Sequence, residues 1–138
     1  MHPFRQAVEA RDAAAIEALL SDDVVFTSPV AFKPYPGKPI TAAILRAVMR
    51  VFEDFRYVRE IGDPSGRDHA LIFEASVGGK RLTGCDFLHI DDDGKIDDFV
   101  VMVRPLSAAT VLAEAMAAQF EQITREAAAS QGHDSSGA

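Results

Sequence analysis

The sequence has one cysteine, few basic residues and no long apolar run, and each of these shortages excludes a class of protein. Cys85 cannot form a disulfide within the chain, and its place in an apolar stretch predicts a small buried hydrophobe in a reducing compartment. Lys and Arg number 14 against 21 Asp and Glu, so the net charge of -7 disfavours nucleic acid and anionic membranes as partners. Because no apolar run approaches the roughly 20 residues of a membrane span, we expect a soluble cytoplasmic protein.

Residue spacing typical of metal ligands is also missing. The histidines, His2, His69, His89 and His133, form no ligand pattern such as His-x-x-x-His. The acidic run Asp91–Asp93 lacks the later glutamate and the spacing of a calcium loop, and it is typical of a solvated turn. We therefore predict no metal site and no cofactor.

Helix and strand patterns alternate in the N-terminal part of the chain. Apolar residues recur at near-helical spacing from Pro3 to Leu20, and Asp12 can cap a second helix there, so the segment predicts a bent helix pair. Val24 to Thr27 is typical of a short strand. Between Val30 and Pro39 the prolines argue against both a helix and a ladder strand, so we expect an irregular loop. The next helix is predicted from a cap at Thr41 to about Glu53.

Four strands joined by tight turns are predicted next. They cover Phe55–Ile61, His69–Val77, Lys80–Ile90 and Ile96–Val103. Further on, Ser107 can cap a last helix with an apolar stripe. The order predicts one α+β domain over residues 1–129, with the helices collected on one face of a mostly antiparallel sheet. Residues 130–138 have neither periodicity nor apolar anchors and are expected to be a disordered tail.

One carboxylate lies where an apolar strand should bury its side chains. Asp86 alternates in phase with Leu88 and Ile90, so the period of two places all three on the same side of the sheet. His89 is out of phase with them and is expected on the other side. A carboxylate among inward aliphatic side chains is either paired or has a raised pKa. The pattern therefore marks Asp86 as the main candidate for a functional group.

Two interpretations of Asp86 remain open from the sequence alone. As a pocket acid, it hydrogen-bonds a ligand oxygen or moves a proton. As a structural residue, it is satisfied by a backbone amide or by an arginine. The candidate arginines are Arg46, Arg56 and Arg81.

The order of these features resembles the cone-shaped domains related to nuclear transport factor 2, in particular the ketosteroid isomerase and SnoaL-like polyketide cyclase group. Over Pro3 to Pro105 the resemblance is carried by the opening helix with LLSDDVVFTSPV, a Pro-rich loop into a helix, and the GCDFLHIDDDGKI hairpin. It implies a cystatin-like (NTF2-like) fold, in which a curved, mostly antiparallel sheet wraps on the N-terminal helices. The C-terminal helix is an addition to that fold. The open end of such a cone is a pocket.

The catalytic set that this resemblance implies is incomplete in the present chain. Ketosteroid isomerases use a carboxylate base, a tyrosine, and an acid kept protonated by an apolar site. By position the protonated acid falls on Asp86, but Ser28 stands before Pro29 where the base belongs, and Phe4 stands at the position of the tyrosine. Steroid isomerisation by the standard mechanism is therefore not expected.

With Asp86 as its main polar group, the expected site is an apolar pocket for a compact hydrophobic carbonyl compound, such as a polyketide or a steroid-like molecule. If the protein is an enzyme, we expect an isomerase, cyclase or hydrolase that uses Asp86 as catalytic acid or base. The predicted ligand-binding residues are Ser28, Tyr35, Tyr57, Leu88, Phe99, Val101 and Val103. The alternative is a non-catalytic dimerisation or protein-association module with a filled cone. The resemblance also implies a homodimer through the exposed face of the sheet.

Overall fold

Two short helices open the chain in the computed structural model, which describes residues 1–136 and the side chains of residues 1–130. They are α1 (Pro3–Glu9) and α2 (Ala13–Ala18). The Asp12 carboxylate accepts a hydrogen bond from the Ala15 N–H at 3.0 Å and thereby caps α2. The predicted bent pair and its cap are confirmed.

The Pro-rich segment contains a short strand that the sequence argument excluded. After β1 (Leu20–Thr27), the two residues of β2 (Tyr35–Pro36) pair antiparallel with β1, Val25 opposite Pro36 and Phe26 opposite Tyr35. The prediction that the prolines exclude a ladder strand is wrong here. The reason is that β2 is the edge strand, which needs ladder hydrogen bonds on one side only and so tolerates a proline.

The third helix begins earlier than predicted. α3 (Lys38–Val51) follows Gly37, whose φ of 104° turns the chain from the edge strand directly into the helix. Thr41 is therefore not the cap. It lies fully buried in the helix, and its hydroxyl is the buried side-chain group without a hydrogen-bond partner among the described residues. Pro39 fits in the first turn, where no helical N–H is required.

Four long strands complete the sheet: β3 (Glu53–Ile61), β4 (Asp68–Val77), β5 (Lys80–Ile90) and β6 (Ile96–Arg104). The strand order is β2-β1-β6-β5-β4-β3, and every neighbouring pair is antiparallel except β1 with β6. Gly94, with φ 76°, forms the predicted turn between β5 and β6. The predicted α+β architecture with a mostly antiparallel sheet is confirmed.

A glycine in β5 allows an aromatic ring to lie directly on the sheet. Phe73 of β4 faces Gly84 of β5 in register, and its ring occupies the space that a Cβ on Gly84 would need. Phe73 is buried and packs with Phe55 at a ring-centroid distance of 4.9 Å. This contact fixes the aromatic floor of the cone next to Asp86, two residues further along β5.

The last helix, α4 (Leu106–Ser136), packs along α3. It begins one residue before Ser107, so Ser107 lies inside the first turn rather than at the predicted cap. Arg46 of α3 binds Glu126 of α4 at 3.2 Å, while Ile123 of α4 is buried in the core. The disordered tail expected over residues 130–138 stays a prediction, because the side chains of residues 131–138 and the whole of residues 137 and 138 lie outside the described part of the chain. Within residues 1–136, no helix combines the length and the apolar character needed to cross a bilayer.

Candidate functional site

The inner face of the sheet and the helices enclose a cavity of about 130 Å³. Its wall is mainly aliphatic and aromatic, and α4 contributes Leu112 and Met116 to it. An apolar cavity of about 150 Å³ holds a benzene molecule in another protein, so this cavity has room for a body of roughly one ring. Its polar wall residues are Glu9, Arg11, Ser28, Tyr57 and Asp86.

Asp86 occupies the inner face of the central strand β5, as predicted from its phase. It lies opposite Leu71 on β4 and Val101 on β6, and 5% of its surface is exposed. Leu88, two residues on, is equally buried, while His89 lies on the outer face with Nδ1 2.7 Å from the Asp97 Oδ1. That hydrogen bond raises the pKa of His89. The alternation along β5 is therefore as the sequence predicted.

The partner of Asp86 is a tyrosine and not an arginine. Tyr57 of β3 is buried, and its Oη donates a hydrogen bond to Asp86 Oδ2 at 2.7 Å. The three candidate arginines bind other carboxylates: Arg46 binds Glu17 and Glu126, and Arg56 and Arg81 bind Glu74. The Oδ1 atom of Asp86 makes no side-chain hydrogen bond within residues 1–130, so this oxygen is available to a ligand.

Burial sets the protonation of this pair. Removal from water raises the pKa of Asp86 to about 7, against the opposing effect of the hydrogen bond from Tyr57. Burial and the neighbouring Asp86 raise the pKa of Tyr57 well above its ordinary value, so its hydroxyl keeps its proton and remains a donor. Near neutral pH, Asp86 therefore exists in both its acidic and its ionised form, and it can release or accept a proton.

Removing the Tyr57 hydroxyl should shift the protonation equilibrium of Asp86 further towards its acidic form. In Tyr57→Phe the ionised carboxylate loses the hydrogen bond that favours it, so we expect the pKa of Asp86 to rise above about 7. Titration of the Asp86 carboxyl carbon by NMR measures the change. Tyr35→Phe, on the edge strand and outside the cavity wall, is the matched control and should leave that midpoint in place. A midpoint that stays or falls in Tyr57→Phe would contradict the assigned role of the hydroxyl.

The structure brings together most of the predicted site residues. Ser28, Tyr57, Phe99 and Val101 line the cavity together with Asp86. The remaining three lie outside its wall, and these are Tyr35, Leu88 and Val103.

Each of these three is placed elsewhere by its strand. The edge strand carries Tyr35 towards α4, where its ring lies 5.9 Å from that of Phe120. Leu88 shares the inner face with Asp86 but is 2% exposed in the packed core. Val103, near the end of β6, is half-buried and packs against the same core. Alternation identifies the face of a strand, but it does not tell which inward residues reach the open part of the cone.

Helical residues of the wall were absent from the predicted site. Ile44, Val48 and Met49 of α3 line the cavity, and the apolar stripe of α3 was a signal that could have identified them. Arg11, between α1 and α2, also belongs to the wall but has no such pattern around it. Within residues 1–130, no three His, Cys, Asp or Glu side chains are grouped so as to hold a metal ion.

Comparison with known proteins agrees with this fold. The SnoaL-like domain family matches residues 2–99. A crystal structure described as a steroid delta-isomerase from Pseudomonas aeruginosa is 42% identical, with 88% of this chain and 89% of that chain covered and a TM-score of 0.82. A protein with a cystatin-like fold from Silicibacter pomeroyi is 36% identical over 89% of this chain and 86% of its own, with a TM-score of 0.83. No curated protein matches the sequence.

A more distant structure shares the fold alone. It is an NTF2-like protein from Cytophaga hutchinsonii, 20% identical, with 75% of this chain and 85% of that chain covered and a TM-score of 0.57. The family match covers well over half of the chain and includes α1 to β5, which carry most of the cavity wall. The chain belongs to the SnoaL-like domain family, within the NTF2-like superfamily.

Proposed function

We propose that this protein binds a compact hydrophobic carbonyl compound and moves a proton at the carbon next to the carbonyl group, with Asp86 as acid and base. The observation that carries the proposal is a carboxyl group with a pKa of about 7 in the wall of an otherwise largely apolar cavity. Such a group works best when its pKa is near the working pH, because it can then both accept and release a proton. The relative described as a steroid delta-isomerase supports proton transfer at a ketone as the class of reaction.

The size of the cavity supports the assignment of a small substrate to this site. A volume of about 130 Å³ suits a body of roughly one ring, so we assign the site to a single-ring or similarly compact ketone rather than to a four-ring steroid. The same open volume favours a small-molecule role over the alternative of a filled cone.

The proposed reaction balances without a cofactor. Ionised Asp86 takes a proton from the carbon next to the carbonyl, and the C–H electron pair moves into an enolate. Asp86 then returns the proton to the same carbon, or to the γ-carbon of a β,γ-unsaturated ketone, which becomes conjugated. Tyr57 donates to Oδ2 and holds the carboxyl group in place. Ser28 accepts the Val30 N–H at 3.1 Å, so its own hydroxyl proton remains available to the enolate oxygen.

Two simple ketones test the proposal. Isomerisation of cyclohex-3-enone to the conjugated enone is followed by ultraviolet absorbance, and deuterium uptake into the methyl group of acetophenone is followed by proton NMR. We expect the protein to accelerate both, with kcat/KM rising to a plateau above pH about 7 because ionised Asp86 is the reactive form. Absence of acceleration and of saturable binding with both ketones would contradict the proposal.

We also propose that two copies of the chain associate through the outer face of the sheet. Phe87 and Met102 are 41% and 59% exposed there. In register, Phe87 lies beside Ala70 and Val100, while Cys85 lies beside Met102. Cys85 was predicted as a buried hydrophobe, but it is half-buried on this outer face because it is out of phase with Asp86. A two-fold axis would place this apolar patch against itself and remove it from water.

Light scattering coupled to gel filtration measures the association. We expect a dimer for the wild type and a monomer for Phe87→Lys combined with Met102→Lys, because both charges would then lie in the interface. Leu106→Lys, at an exposed position that begins α4, is the control and should leave the dimer intact. A monomeric wild type, or a dimeric double variant, would refute this interface.

A further inference from the structure

The mouth of the cavity carries charged side chains that proton transfer at Asp86 does not use. Glu9 and Arg11 belong to the cavity wall and are exposed, whereas Asp86 and Tyr57 belong to it and are buried. Apart from Ser28, the rest of the wall is apolar. A ligand that fills the cavity therefore meets polar groups at its inner end and again at its outer end.

Arg11 is the rim residue whose charge is available to a ligand. The Glu9 carboxylate is held in an ion pair by Arg5, one turn earlier on α1. The Asp12 carboxylate is occupied as the cap of α2, where it accepts the Ala15 N–H. The Arg11 guanidinium makes no ion pair and no side-chain hydrogen bond with any residue of the range 1–130.

The backbone fixes the point from which the Arg11 side chain starts. The Arg11 N–H donates to the Val8 carbonyl at 3.0 Å, and the Asp12 N–H donates to the Ala7 carbonyl at 3.0 Å. These bonds close α1 and hold Arg11 at φ 53°, in the left-handed region where glycine or asparagine is more usual. The chain thus places an arginine at the rim of the cavity, in a backbone conformation that is unfavourable for arginine.

We propose that the ligand of this site carries a carboxylate at the end opposite its carbonyl group, and that Arg11 binds this carboxylate. The inference rests on the proposed function, because it takes the inner end of the cavity as the carbonyl end. A guanidinium forms two parallel hydrogen bonds with a carboxylate, which gives both orientation and affinity. The net charge of -7 disfavours the approach of anions in general. A cation at the mouth offsets this repulsion for an anion that it binds directly. The substrate class is therefore a compact keto acid.

The pair 4-acetylbenzoate and its methyl ester tests this inference, since both have the same ring and the same methyl ketone. Isothermal titration calorimetry on the wild-type protein should give about fivefold to tenfold tighter binding of the acid than of the ester. This preference should shrink between 50 mM and 500 mM salt, because the ion pair lies at the exposed mouth.

Arg11→Gln should abolish the preference for the acid and leave the affinity for the ester within about twofold. Arg11→Lys keeps the charge and should retain part of the preference. Arg59→Gln removes the same charge at an exposed position of β3 outside the cavity wall, so it should bind both probes as the wild type does.

The outcomes separate this inference from the proposed function. If the ester binds and exchanges the protons of its acetyl methyl group but the acid binds no tighter, the role of Arg11 is refuted and the carbonyl site stands. Equal weakening of both probes by Arg11→Gln refutes the carboxylate assignment as well. If neither probe binds and no ketone is turned over, the proposed function fails and this inference fails with it.

Discussion

Replacing Asp86 with asparagine is expected to lower the rate of proton transfer at a bound ketone by roughly 100-fold to 10,000-fold. The amide has nearly the size and shape of the carboxyl group, and its oxygen can still accept the hydrogen bond from Tyr57. It can neither take nor release a proton near neutral pH. We therefore expect the loss in kcat and little change in the affinity for acetophenone, measured by kinetics and calorimetry on the same preparations.

Asp98→Asn is the matched control for this experiment. Asp98 lies on β6, is exposed, and is outside the cavity wall, so its replacement removes an equal charge without touching the site. It should leave both kcat and the affinity unchanged. Wild-type activity in Asp86→Asn would show that another group moves the proton, while an equal loss in both variants would point to net charge rather than to the site.

The same substitution should remove a large pH dependence of stability. Burial raises the pKa of Asp86 from 3.8 to about 7, so between these values the native protein keeps a proton that the unfolded chain releases. The contribution of this group to the free energy of unfolding is therefore largest at low pH. It falls as the pH rises from about 4 to about 7 and is constant above that. A pKa difference of about three units corresponds to about 4 kcal/mol.

Urea denaturation at pH 5 and pH 8 measures this effect. Asp86→Asn has no group to ionise in the cavity, so it should be more stable than the wild type at pH 8 by up to about 4 kcal/mol. At pH 5 the difference should be much smaller. Other groups titrate equally in both proteins, so the difference between the two stability curves isolates Asp86. If the stabilities of the two proteins change with pH in parallel, folding does not raise the pKa of Asp86.

The position of Asp86 could be predicted because it follows from local rules. The period of two in a strand gives its phase with Leu88, and the Asp-Gly turn fixes the hairpin that follows. Both are properties of neighbouring residues, and the structure retains both. The same holds for the pair of N-terminal helices, where Asp12 supplies the cap.

The pairing of Asp86 with Tyr57 could not be predicted in this way. The two residues are 29 positions apart and lie on β5 and β3, with β4 between them. Their contact depends on two strand registers and on the space left by Gly84 for the ring of Phe73. The alternation of β3 predicts Tyr57 as a cavity residue, but no local pattern favours it over an arginine as the partner of the carboxylate.

Two predictions in the N-terminal half, the start of α3 and the absence of a strand in the Pro-rich segment, are wrong for the same reason. In both, the tertiary context overrides the local preference of a residue. Thr41 is a good helix cap by residue type, but Gly37 turns the chain into α3 four residues earlier. Pro36 argues against a strand by residue type, but the sheet places it at an edge.

The part of the cavity wall contributed by Leu112 and Met116 also depends on tertiary context, because it is set by how α4 packs over the cone.

The proposed function requires that Asp86 is a buried carboxyl group that exchanges its proton near neutral pH. Carbon-13 NMR of the side-chain carboxyl groups, recorded from pH 4 to pH 9 and assigned by comparison with Asp86→Asn, measures this directly. We predict one aspartate resonance with a midpoint near pH 7 that is missing from the variant. An Asp86 resonance with a midpoint near 4, as for an exposed aspartate, would rule out Asp86 as an acid and base near neutral pH.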